Sequence, residues 1–185
     1  ENYDCFFKRG RSLYELKKYE DAIKDFNKSI ELSSKDYNSY FKRGNCYFEL
    51  EKYKEAIKDF TQAIILDSKK EESLSLRGFS KFYLGYYKDA IKDFNRAFDL
   101  IFTEDVYQSE LFVVEGLRVN YRFKNRNHHE KLFRYRAECF FKLGEKKKAL
   151  FDYDRLIVFD RNNELYLHRN ALCLNFDGNS FRRTF

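Results

Sequence analysis

The pentapeptide AIKDF stands at 22–26, again at 56–60 and again at 90–94. The three copies begin 34 residues apart, and a weaker version, ALFDY, begins at Ala149. A fixed period of roughly 20–50 residues marks stacked supersecondary units, so the period governs the rest of the reading.

Aligning the copies gives regular units at 3–36, 37–70 and 71–104, an irregular stretch, a fourth unit at 130–163 and a shortened one from Glu164. The eighth position of each unit is small: Gly10, Gly44, Gly78, Ala137 and Ala171. The twentieth is Ala22, Ala56, Ala90 or Ala149, and the twenty-fourth is Phe26, Phe60, Phe94 or Tyr153. Small residues at eight and twenty let two antiparallel helix backbones approach closely, and the ring fills the space beside the crossing. Apolar residues recur at helical spacing, as in Phe60, Ala63 and Ile64. Turns fall at LKKYE, LEKYK, LGYYK and LGEKK, and acids such as Glu20 and Asp21 open the helix that follows. Between units, SSKD, DSKK and DRNN supply capping and turning residues.

With these sites in register over about four-fifths of the chain, the sequence resembles the tetratricopeptide repeat family. The resemblance implies an all-α fold, a right-handed α-solenoid of helix-turn-helix repeats. The expected organisation is three regular repeats over 1–104, an irregular helical insertion with a basic loop over 105–129 and a fourth repeat over 130–163. The first helix of a further, truncated or capping repeat then occupies 164–185. Some positions depart from the family pattern. Its proline near the unit end is Ser34, Ser68, Phe102 or Arg161 here. The turn tyrosine of Tyr19, Tyr53 and Tyr87 becomes Lys146, and the small residue at position twenty-seven becomes Leu156. The fourth pair is therefore expected to pack differently.

Composition agrees with helices. Proline, methionine and tryptophan are absent, and 43% of residues are apolar, enough to build a core rather than a disordered tail. No run approaches the length of a membrane span, and no secretory leader opens the chain. A chain that opens in a helix and lacks methionine reads as a segment of a longer protein. Cys5, Cys46, Cys139 and Cys173 lie far apart with no paired spacing, which points to reduced thiols in an intracellular, cytoplasmic protein.

Charge is uneven. Residues 1–104 carry 20 basic and 19 acidic side chains, and residues 105–185 carry 16 and 11. Within the insertion, Thr103 followed by Glu104 and Asp105 reads as the start of an extra helix running to about Phe123, with a loop through KNRNHH. Seven basic residues, Arg118, Arg122, Lys124, Arg126, Lys131, Arg134 and Arg136, are interleaved there with aromatics and a single acid, Glu130. Such a segment suits an acidic protein surface or a nucleic-acid strand, unless it is a solvated loop whose rings pack inward, as Phe133 is placed to do. At the C-terminus Leu167, Leu174 and Phe176 suggest that further chain or a partner continues the stack.

No phosphate loop, zinc-protease motif or nucleophile elbow is present. DRNNE at 160–164 fails as a calcium loop because Leu165 and Ala171 stand where glycine and a bidentate glutamate belong. His128 and His129 are expected to be solvent-exposed, and Cys46, Cys139 and Cys173 to be helix-packing thiols. The reading is non-catalytic, with no cofactor and no metal.

In the family, the first helices line a concave groove. The resemblance therefore implies a partner-binding face of Phe7, Lys8, Arg11 and Tyr14, then Phe41, Lys42, Asn45 and Phe48. Phe79, Phe82 and Tyr83 follow, then Arg134, Tyr135 and Phe141. The clamp by which some members hold chaperone tails would need Lys and Asn, then Asn, then Lys and Arg. Those sites hold Phe7 and Arg11, Lys42, then Glu72 and Leu76. Framed one unit later they hold Phe41 and Asn45, Leu76, then Lys131 and Tyr135, so the resemblance argues against a chaperone tail. The functional expectation is a scaffold or adaptor module in a larger assembly, gripping a peptide, helix or acidic surface of a protein partner, with no membrane contact. A ribonucleoprotein role for 118–136 is the alternative, and a cytoskeletal or ciliary scaffold is a variant of the first reading.

Overall fold

The computed structural model describes residues 2–105, 126–159 and 163–174. The chain divides into two compact units, Glu1–Asp105 and Val106–Phe185. The first contains α1 (Tyr3–Glu15), α2 (Tyr19–Leu32), α3 (Tyr37–Glu49), α4 (Tyr53–Leu66), α5 (Glu71–Tyr83) and α6 (Tyr87–Asp105). The second contains α7 (Arg126–Lys142), α8 (Lys146–Phe159) and α9 (Glu164–Leu174). Within each unit every helix packs on the next in sequence, and in the first unit α3 also touches both α1 and α5. The described residues are all-α, a stack of helix-turn-helix pairs.

The period produces this stack through contacts at its small and aromatic positions. Ala22, Ala56, Ala90 and Ala149 are fully buried, as are Phe26, Phe60, Phe94 and Tyr153. A methyl placed on Gly10, Gly44 or Gly78 would lie 2.9, 2.7 or 2.6 Å from the ring of Phe26, Phe60 or Phe94. Each ring therefore occupies the space a side chain would take, and the helix spacing follows from it.

The turns inside the pairs share one geometry. The amides of Lys18, Lys52, Tyr86 and Glu145 reach back to the carbonyls of Leu13, Tyr47, Lys81 and Phe140 at 2.8–2.9 Å. This closure requires a left-handed residue just past the helix. Gly85 and Gly144 fill that place in two turns, whereas Lys17 and Glu51 adopt it with φ of 59° and 57°. Between pairs, Asp36 caps α3 by accepting from the amides of Asn38 and Ser39 at 3.3 and 2.9 Å. Lys70 begins α5 without a side-chain cap, and Glu71 and Glu72 supply negative charge to its first turn.

A second periodic device links the two helices of each pair. Arg9, Arg43, Arg77 and Arg136, at the seventh position of each unit, grip Asp25, Asp59, Asp93 and Asp152 at the twenty-third. In each pair Nε donates to Oδ2 and Nη2 to Oδ1, over 2.6–2.9 Å. The four aspartates are 0–5% exposed. Arg43 Nη1 also donates to Asn27 of the preceding pair at 2.7 Å, and Arg77 Nη1 to Thr61 at 3.1 Å. In the second unit Asn170 takes the arginine's place and donates to Asp154 at 2.5 Å. One side chain thus ties a helix to its own partner and to the pair before it.

Two boundaries differ from the sequence expectation. Thr103 lies inside α6, which runs on to Asp105, so it does not begin a new helix. The helix of the fourth pair starts at Arg126, and the expected loop through KNRNHH is helical from that residue onward. The remainder of the expected extra helix, and Phe176, lie outside the described residues.

Removing Arg43 alone, as Arg43→Met, leaves the Asp59 carboxylate buried without its cation and should cost about 3–5 kcal/mol in urea unfolding. Arg43→Met with Asp59→Leu should recover most of that loss. By contrast, Glu51→Gly relieves a left-handed glutamate and should raise stability by about 0.5–1 kcal/mol in the same measurement.

Candidate functional site

Of the side chains implied as a groove, those from Phe7 to Tyr83 lie on α1, α3 and α5, the three neighbouring first helices of the first unit. They form two groups. Towards the middle of the helices, Phe7 leans on Phe26 and Phe41 on Phe60, each with centroids 6.0 Å apart, while Phe41 stacks on Tyr37 at 5.5 Å. Phe79 goes further inward. It is only 7% exposed and sits 5.3 Å from Phe94, which makes it a core residue rather than a contact surface.

Near the turns lies a continuous aromatic cluster. Phe48 meets Tyr53 at 5.5 Å and Tyr83 at 6.0 Å, and Tyr83 stacks on Tyr53 at 4.8 Å. Phe82 joins through Tyr83 and Tyr87 at 5.6 and 5.7 Å. Tyr83 remains 47% exposed, so the cluster presents a ring to solvent while its base is packed.

Cations border these rings. Lys42 Nζ lies 5.4 Å above the ring of Tyr14, which itself meets Tyr19 at 5.5 Å. Burial pushes the Tyr14 hydroxyl up to about 12, with Glu49 adding to the effect, so it is a neutral donor at physiological pH. Arg11 is exposed, and Lys8 is exposed but bonded to Asp4 at 2.6 Å. Asn45 on α3 is half-buried, its Oδ1 shielded from water and without a hydrogen bond.

Arg134, Tyr135 and Phe141 stand on α7 of the second unit, with Arg134 5.1 Å over Tyr135 and Arg169 4.8 Å over Phe141. Of the basic segment, Arg118, Arg122 and Lys124 lie outside the described residues, Arg126 opens α7 and Lys131 is exposed. Arg136 is held by Asp152 and its side chain is 14% exposed, so it is spent on the interior rather than offered to a partner. Phe133 is buried, as its repeat position requires.

His129 corrects an expectation. It is 8% exposed rather than solvated, because α7 begins a turn early and carries it into a helix. Burial, with His128 adding its charge, lowers its pKa to about 4. Burial likewise pushes the thiols of Cys46 and Cys139 up to about 12 and raises that of Cys173, which makes them inert packing groups. Among the described residues no cluster could hold a metal ion, and no helix is long and apolar enough to cross a membrane.

The arginine–aspartate pairs went unread in the sequence, although their signal was there: Arg and Asp sixteen residues apart, four times at a constant phase.

This arrangement, paired helices stacked through small, aromatic and ion-paired positions, defines a helical-repeat protein. Residues 37–70 match the family profile described as tetratricopeptide repeat, and residues 10–50 match that described as TPR repeat. The chain belongs to the tetratricopeptide repeat family. Among solved structures it resembles the second TPR of Spaghetti (RPAP3), solved with the HSP90 peptide SRMEEVD. Identity is 30%, over 54% of this chain and 93% of that one, with a TM-score of 0.52. The Arabidopsis OM64 TPR domain matches at 27% identity over 54% of this chain and 83% of that one, with a TM-score of 0.52. YrrB, a TPR protein with an unusual peptide-binding site, shares the fold across 95% of this chain and 78% of its own. Its TM-score is 0.74 and its identity 18%. No curated protein sequence matches.

The histidine gives a pH dependence of definite sign. An unfolded histidine titrates near 6.5, so below that pH the unfolded chain takes up a proton that buried His129 refuses. Stability should therefore fall as pH drops from 6.5 towards 4, by about 1–3 kcal/mol from this group. His129→Leu should flatten that part of a thermal-midpoint profile.

Proposed function

We propose that the first unit is a protein-interaction module that holds an extended or helical partner segment against α1, α3 and α5. The observation that carries this reading is the cluster of Phe48, Phe82 and Tyr83, packed at its base and open at its tip, on the same row of first helices as exposed Arg11 and as Lys42, which lies over the Tyr14 ring. Rings already held by neighbours lose little freedom on binding, and they bury large apolar areas. The cations favour a segment whose apolar anchors are accompanied by aspartate or glutamate.

Peptide binding by related domains supports the class of ligand: the Spaghetti repeats were solved with an HSP90 peptide. The chemistry here differs from the family's clamp for such tails. Phe7 and Leu76 stand where the clamp needs polar groups, and Glu72 would repel a terminal carboxylate. An internal acidic-aromatic or acidic-aliphatic segment is the better match. The protein acts on this reading as a scaffold or adaptor, without chemistry of its own.

A displayed library of random peptides tests it. Sequences enriched on the wild-type protein should carry aromatic or aliphatic anchors with acidic neighbours. Arg11→Glu with Lys42→Glu, which leaves Phe48, Phe82 and Tyr83 in place, should weaken the selected peptides about tenfold or more. Phe48→Ala with Phe82→Ala should abolish their binding in a protein whose circular dichroism remains helical. Undiminished affinity in both double variants would refute the groove.

A further inference from the structure

The row of first helices in the first unit is graded in charge. On α1, Arg11 is exposed, and on α3, Lys42 lies 5.4 Å above the Tyr14 ring. The cations of α5 are Arg77 and Lys81, and Asp93 holds both, at 2.6 and 2.7 Å. Their side chains are 16% and 18% exposed. What α5 presents instead is Glu72, an exposed acid. Positive charge is therefore available on α1 and α3 and withheld on α5.

Burial is graded along the same row. At the fifth position of the unit Phe7 and Phe41 are half-buried, whereas Ser75 is fully buried. At the ninth, Arg11 is exposed and Asn45 half-buried, whereas Phe79 is buried against Phe94. The middle of α5 is closed to a ligand, and its accessible rings, Phe82 and Tyr83, lie at the turn end. At the thirteenth position the chemistry inverts. Glu15 and Glu49 are exposed acids on α1 and α3, while Tyr83 is an exposed ring on α5. Burial raises the Tyr14 and Tyr19 hydroxyls and the charge of Glu49 adds to the effect, which puts that acid close to both rings. The turn ends of α1 and α3 thus repel carboxylates, and that of α5 accepts an apolar group.

We propose that the bound segment crosses the first unit obliquely, its acids over the middle of α1 and α3 and its apolar anchor on Tyr83 at the turn end of α5. This rests on the groove reading above and adds the path of the segment and the residue that sets it. Charge complementarity fixes the occupant as a partner segment whose acids and anchors form separate blocks. Its carboxylates meet Arg11 and Lys42 at one end, and at the other they would meet Glu72 with both α5 cations already held. Two helix spacings of about 10 Å separate α1 from α5, so about six extended residues span the crossing. Within this unit only α5 carries a ring at the thirteenth position, so Tyr83 decides where the anchor lands.

Capped peptides of a single composition serve as probes. In two of them aspartates form one end and leucine and phenylalanine the other, joined by glycine and serine, in either chain direction. In the third, acids and anchors alternate. One block peptide should bind about tenfold or more tightly than the alternating one. A benzophenone at its acidic end should cross-link to α1 or α3, and one at its apolar end to α5. Tyr83→Glu gives α5 the residue that α1 and α3 carry there, so a helical protein is expected, and the block preference should disappear. Tyr83→Phe should retain it.

Equal binding of block and alternating peptides, lost in Phe48→Ala with Phe82→Ala, would leave the groove standing and overturn the oblique crossing. Cross-links from the acidic end to α5, or an undiminished block preference in Tyr83→Glu, would overturn it as well. Binding by none of the peptides, or binding that survives the double alanine variant, would remove the groove and the crossing together. Self-association in sedimentation that the peptides compete away would give the groove to a second copy of this chain instead of a partner segment.

Discussion

Everything in the first unit rests on the absence of a side chain beneath a ring. Phe60 lies so close to the Gly44 backbone that a methyl there would sit 2.7 Å from the ring edge, and the same holds at Gly10 and Gly78. That contact fixes the separation of the two helices in a pair. Only at that separation can Arg43 span to Asp59 with two parallel bonds of 2.7 Å. The order of causes therefore runs from steric fit to charge. Buried ions are expensive unless their geometry is nearly ideal, and here packing supplies the geometry. Burial still pushes the Asp59 carboxyl above its ordinary range, with the Arg43 bonds opposing it.

The fold was legible because the determinants that recur are those that make contact. Ala56, Phe60 and Gly44 could be named from the period, and each is buried where the alignment placed it. The ion-pair ladder was as periodic and went unread for a different reason. Arg43 and Asp59 look like surface residues in a chain rich in charge, and hydropathy gives no hint that two charges will be buried together. What identifies them is phase: a pair of opposite charges at a constant spacing, on the helix faces that the apolar positions turn inward.

The misplaced boundaries have a local cause. Thr103 followed by two acids is a good helix start when read alone, and KNRNHH has the polarity of a loop. Neither signal registers that α6 continues through Thr103 to Asp105 or that α7 begins at Arg126. Tertiary burial settles such contests, since capping is a weak preference beside the burial of a helix face. His129 shows the consequence. A residue assigned to solvent from its neighbours in sequence is enclosed once the helix extends through it.

The candidate groove was legible in part, and the shortfall again concerns charge. Counting arginines and lysines on the first helices suggests a strongly basic face. The ladder removes many of them. Arg9, Arg43 and Arg77 are bound to aspartates, Lys81 is a second cation on Asp93 at 2.7 Å, and Lys8 is tied to Asp4. The cations left on the implied face are chiefly Arg11, which is exposed, and Lys42, which lies over the Tyr14 ring. Apolar burial should then set the affinity of whatever docks there, while the cations select among segments of similar shape and hasten encounter. The same accounting removes Arg136 from the basic segment of the second unit. Net charge read from sequence overstates the charge available for recognition whenever the fold uses its cations to hold itself together.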